Sequence, residues 1–203
     1  MATPSELEWF DQLNRSAFTY GLATRGIALT QEKFADTVSH VTPLPKNQTY
    51  LAFPKPNDAQ VTVYANWRSL ELPDLMVPDG PIIRELGRQW VVSVNSLWDS
   101  YFRKMIAMEN GFTEERELKV PVMGDLNRIR NDIVHHHGIA THENSGKCSV
   151  LSKWISVGDE IVVTELMIVE FMDHWGQTRL GPNLGNDASG INVVVHDRPE
   201  NED

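Results

Sequence analysis

The segment Arg130-Asn131-Asp132-Ile133-Val134-His135-His136-His137-Gly138 puts a guanidinium, a carboxamide and three imidazoles into one short stretch. A guanidinium stays charged and its fork of N–H donors fits phosphate or carboxylate oxygens, while imidazole takes and gives protons near neutrality. Phosphodiester transfer asks for both, a base for the attacking hydroxyl and positive charge at the phosphorane. Asn131 carries a donor and an acceptor, so it can bind the phosphate or fix the arginine.

The spacing leaves the acting histidine open. On an ideal helix His137 lies about 20° round from Arg130, His135 about 140°, and His136 about 120° on the other side. Asp132 reads as a solvated carboxylate. Asp99, on the preceding helix, is a candidate partner for Arg130 across a bundle. A metal site is the rival reading, since His142 lies five residues past His137. Consecutive helical side chains diverge by about 100°, however, and neither a second cysteine nor an HExxH pattern accompanies the triplet. No metal or cofactor is expected.

The elements that must carry these residues are mostly helical. Asp125 is placed to cap a helix through Leu126, Ile129 and Ile133 that ends at Gly138. Before it, Ile83, Leu86, Trp90, Val94, Leu97, Tyr101, Met105 and Met108 keep helical spacing over Ile82 to Glu109, with Gly111 as the stop. The aromatic residues there, Trp90, Trp98, Tyr101 and Phe102, read as core rather than as a base-stacking stripe. Two N-terminal helices are expected, one through Leu7, Phe10, Leu13, Ala17 and Tyr20, the other following Thr30 through Phe34, Val38 and Val41.

Seven of the eleven prolines fall between Pro43 and Pro81 and exclude a long helix there. Tyr50 to Phe53 and Val61 to Tyr64 flank Pro54-Lys55-Pro56-Asn57-Asp58 as a hairpin, to which Ile191 to Val195 could add a third strand. A second hairpin, Trp154-Ile155 with Ile161 to Val163, is expected to turn at Gly158-Asp159. Leu166, Val169 and Met172 fit a last helix, and Gly176 to Gly190 reads as loop. The expected fold is mainly α with a minor sheet, an α+β helical bundle carrying a small antiparallel hairpin sheet.

With 203 residues, 41% of them hydrophobic, the chain fits one domain over 1–203. Its single cysteine, Cys148, excludes an intramolecular disulfide, and the first residues lack the basic-then-apolar run of a signal peptide. A cytoplasmic setting follows as the expectation. No apolar run approaches the roughly 20 residues of a membrane span. The net charge of -10 argues against binding nucleic acid through bulk phosphate neutralisation, so RNA contact must be local. Residues 197–203 read as a disordered acidic tail.

Arg130-Asn131 followed by His135 resembles the R-x4-6-H signature of HEPN domains. Ser96-Leu97-Trp98-Asp99-Ser100-Tyr101-Phe102-Arg103 and Gly138-Ile139-Ala140-Thr141 are similar to HEPN sequences as well. The resemblance covers 82–175 as a HEPN-like core and leaves 1–81 as an N-terminal elaboration of helices and a hairpin. It implies a helical bundle and a metal-independent endoribonuclease, often a toxin or antiviral defence effector, that leaves 2′,3′-cyclic phosphate ends. It also implies a homodimer that joins two motifs in one site, RNA as substrate and, for a toxin, an antitoxin partner. The commonest family spacing favours His135 over His137 and His136. A non-catalytic HEPN-like module that binds RNA, a nucleotide or a protein is the other class of reading.

Overall fold

The computed structural model describes residues 2–40, 49–54, 61–67 and 72–176, with side chains described for 2–33 and 74–176. It is mainly helical. The chain opens with α1, Pro4–His40, a single helix where two were expected. Thr30, after which the second was expected, lies inside the helix and donates its hydroxyl to the Gly26 carbonyl at 2.8 Å. Thr24 and Thr19 do the same to Gly21 and Arg15, so these hydroxyls are satisfied inside one helix and none starts another.

The strands β1, Thr49–Pro54, and β2, Val61–Trp67, form an antiparallel ladder that pairs Thr49 with Trp67 and Pro54 with Val61. The expected small sheet is no part of the described core, which contains no strand between 72 and 176. The proposed third strand at 191–195, the tail at 197–203 and most of the loop at 176–190 lie outside the described residues.

After the short α2, Leu72–Leu75, comes the spine: α3, Pro81–Leu97, a π-helical turn Trp98–Phe102, and α4, Arg103–Glu109. Gly111, at φ +81°, ends it in the left-handed conformation that glycine adopts without strain. The expected helix over Ile82 to Glu109 is thus continuous but carries one extra residue in the turn at Trp98. Gly87 lets α3 approach the 161–164 segment, since a Cβ there would lie 2.6 Å from the Val163 carbonyl oxygen.

The core gathers where α1, the spine and α6, Glu165–Trp175, meet. Trp9 of α1 lies 5.6 Å from Trp98, 5.0 Å from Phe102 and 6.1 Å from Trp175, ring centre to ring centre. Such pairs each contribute about 1 kcal/mol beyond their area burial. Trp90 and Phe102 are buried as expected, whereas Tyr101 is exposed. On α6 the helix is as expected but its inner face is not: Ile168, Phe171 and Trp175 are buried, while Leu166 and Val169 face solvent. Among the described residues, no helix is long and apolar enough to cross a membrane.

Candidate active site

The helix α5, Pro121–His135, begins four residues before its expected cap, with Val120 extended and Pro121 at its first position. Proline's fixed φ suits that position and its missing N–H costs nothing there. Val122, Met123, Leu126 and Ile129 form the buried face, and α5 packs against α3. Asp125 is released from capping and turns inward. Its fully buried carboxylate accepts the backbone N–H groups of Ser149, Val150 and Leu151 at 2.8, 2.6 and 3.0 Å, and Arg128 Nη1 at 2.7 Å.

Seven residues on, Asp132 repeats the device, which corrects its reading as a solvated carboxylate. It is fully buried and accepts Thr141 N and Oγ1, Asn144 Nδ2, and Ser145 N and Oγ at 2.5–3.1 Å. Burial alone would raise its pKa. The hydrogen bonds from Ser145, Thr141 and Asn144 stabilise the charged form and hold it at about 2. Asp132 therefore ties down the loop that follows the histidines.

Between these anchors and the helix end stand the motif residues. Arg130 and Asn131 are half-buried, and Arg130 Nη1 donates to Asn131 Oδ1 at 3.0 Å. Of the two tasks open to Asn131, it performs the second here, fixing the arginine. Arg130 Nε is buried and has no hydrogen-bond partner among the described residues. Asp99 does not meet Arg130: its carboxylate accepts Asn95 Nδ2 at 3.0 Å and lies 3.8 Å from Arg103 Nη1. Both partners sit four residues away on its own helix.

His135 is the last residue of α5, and His136 leaves the helix at φ -123°. His137 adopts φ +55° and Gly138 φ +76°. A non-glycine residue in the left-handed region is strained, and such strain concentrates at functional turns. The turn is held by Gly138 N and His136 N, which both donate to the Asp132 carbonyl at 3.1 and 3.0 Å. Because the helix has ended, the ideal-helix angles no longer describe His136 and His137. All three imidazoles are exposed, with no hydrogen bond or ion pair among the described residues.

The chain beyond Gly138 meets the 158–161 segment. Ile161 N donates to Gly138 O at 2.7 Å, and Ala140 pairs with Asp159 and Gly158. The expected hairpin at Gly158-Asp159 is therefore corrected: its turn is present, with Gly158 at φ +93°, but its second arm pairs with 138–140 and its first arm is a short 3₁₀ turn, Ser152–Trp154. Arg88 of α3 lays its guanidinium against Gly138, where a Cβ would lie 2.9 Å from it. Glu160 accepts from both Arg88 and Arg84, the latter at 2.5 Å. The sequence reading missed Arg84, Arg88 and Glu160. Their only signal is helical spacing of two arginines on α3, which many exposed faces share.

Clefts of about 550 Å³ beside Lys104, Met108 and Phe112 and about 210 Å³ beside Trp9, Ser93 and Leu97 lie elsewhere. Neither is lined by a motif residue. Among the described residues no three histidine, cysteine, aspartate or glutamate side chains come together as a metal site. Comparisons with known protein families, with curated proteins and with solved structures find no match for this chain.

Proposed function

We propose that this chain is a metal-independent endoribonuclease of HEPN type, a toxin or defence effector acting on RNA. The observation that carries the reading is Arg130, its guanidinium braced by Asn131 at 3.0 Å and standing five residues before the first of three exposed imidazoles. In the proposed reaction a histidine takes the proton of a ribose 2′-OH, and that oxygen attacks the adjacent phosphorus. Arg130 stabilises the added charge, a second histidine protonates the departing 5′-oxygen, and a 2′,3′-cyclic phosphate remains.

His135 is the proposed base from the family spacing. The left-handed turn at His137 favours that residue as the second reading, because its fixed backbone leaves less freedom to lose on binding. The motif lies on an exposed helix end, outside both clefts described above, which supports a site completed by the same motif of a second copy, a two-fold homodimer. The same openness favours the non-catalytic alternative, a HEPN-like module that binds RNA. Incubating purified protein with total RNA in EDTA separates them. Cleavage that persists under chelation and leaves 2′,3′-cyclic phosphate ends is the expected result; intact RNA sinks the enzyme reading.

A further inference from the structure

Helix α1 has two apolar faces and, among the described residues, buries one of them. Trp9, Leu13 and Tyr20 point into the core. At 100° per residue, Leu7, Phe18, Leu22 and Leu29 share an arc of about 60° on roughly the opposite side. These four are between 50% and 59% exposed, although each is large and apolar. A helix apolar on both sides normally has something on both sides.

The residues along this arc follow a symmetric pattern. They run Leu7, Asp11, Asn14, Phe18, Leu22, Arg25, Leu29, with steps of four, three and four on either side of Phe18. An antiparallel copy related by a two-fold axis at Phe18 would set Leu7 against Leu29, Asp11 against Arg25, Asn14 against Leu22, and Phe18 against itself. Opposite charges then meet twice, and apolar residues meet at the centre and both ends. We infer that this face of α1 is a homodimer interface, formed with α1 of a second copy running antiparallel across an axis at Phe18.

The length is sufficient, since Leu7 to Leu29 spans about 33 Å of helix. Antiparallel helices also align their dipoles favourably. Asp11 now pairs with Arg15 at 2.7 Å, and Arg25 stands 3.6 Å from Glu165, both exposed on the surface. Such surface pairs are weak and exchange readily, so neither holds its charge back from a partner. Repulsion between two chains of net charge -10 is screened over about 8 Å at physiological salt. This inference stands apart from the RNase reading, because the motif lies on α5 and contributes nothing to the α1 face. If α5 also pairs, the two interfaces join more than two copies; if not, the particle is a dimer.

The test places a cysteine on the axis. Phe18→Cys, exposed to oxidised glutathione at micromolar protein, should give a covalent dimer on a non-reducing gel. A control cysteine at exposed Glu115 should give far less. The native Cys148 does not interfere, as it is buried and its thiol is pushed up to about 12 by that burial, with Asp125 adding to the effect. Added to Phe18→Cys, Asp11→Arg or Arg25→Asp alone should slow cross-linking roughly tenfold, and the two together should restore it. Restoration cannot arise from misfolding. Equal cross-linking at 18 and 115, or a charge-swapped protein no better than the single variants, overturns the interface.

Discussion

The carboxylate of Asp132 accepts the hydroxyl of Ser145 at 2.5 Å and its backbone N–H at 3.1 Å, across thirteen positions of chain. With Thr141 and Asn144 on the same carboxylate, one α5 side chain fixes the start and the end of the loop after the histidine turn. Asp125 does the same for 149–151 one face-repeat earlier. Helix α5 thus acts as a rail on which two loops hang, and the turn that carries His136 and His137 is the end of that rail.

Removal of the Asp132 carboxylate strands several buried donors at once. Asp132→Ala should lower the unfolding free energy by roughly 3–5 kcal/mol, the range for breaking a buried charged network, as read by urea denaturation near pH 7. The pH dependence has a definite sign. The folded-state pKa is depressed to about 2 from an ordinary value of 3.8, so the stabilisation is complete above pH 3.8 and fades as pH falls toward 2. Its size is about 2 kcal/mol. An Asp132→Asn variant should lack this acid-dependent loss while other carboxylates keep theirs. A parallel stability-versus-pH curve for the two proteins would refute the assignment.

Gly138 sits at φ +76° with the Arg88 guanidinium where its Cβ would be. Gly138→Ala should therefore cost about 1–3 kcal/mol, from left-handed strain and from displacing a guanidinium that Glu160 holds. In an Arg88→Ala background the displacement vanishes and only the backbone strain, about 1 kcal/mol, remains. The double-mutant cycle should accordingly be non-additive. Additive costs would mean that the contact carries no energy.

Much of this was legible in the sequence because it rests on local periodicity. The spine from Pro81 to Glu109, its stop at Gly111 and the last helix all follow from spacing. What escaped depended on partners distant in the chain. Asp125 and Asp132 look like a cap and a surface charge until the loops at 141–151 fold back onto them, and no pattern in α5 announces those loops. The apolar run at Ile161 has Trp154-Ile155 as its near neighbour in sequence, yet this arm pairs with Gly138 to Ala140, a segment distant in the chain that follows α5. Asp99 kept to Asn95 and Arg103 because an i,i+4 neighbour needs no tertiary geometry to be reached. On α6 the sequence offered two apolar faces, and Trp9 and Trp98 on the other elements chose the one with Phe171 and Trp175.

The composite site proposed for RNA cleavage makes a demand that a single-copy site does not. With one histidine of its triplet acting, a motif supplies one arginine and one acid–base group, whereas transfer to a cyclic phosphate asks for a base, an acid and positive charge at the phosphorane together. Two motifs facing one another across a two-fold axis supply two of each. Arg130→Ala and His135→Ala homodimers should each lose most cleavage, with stability changed by no more than about 1 kcal/mol, since both side chains are at least partly exposed. Mixing the two variants after brief unfolding and refolding should restore part of the activity, because a share of heterodimers carries an intact arginine and an intact histidine across the axis. His137→Ala, assayed beside them, separates the two base assignments: if it alone abolishes cleavage and His135→Ala does not, His137 takes the proton. Absence of any recovery on mixing, in a preparation where exchange between copies is demonstrated, would leave the two motifs working independently and end the composite-site proposal.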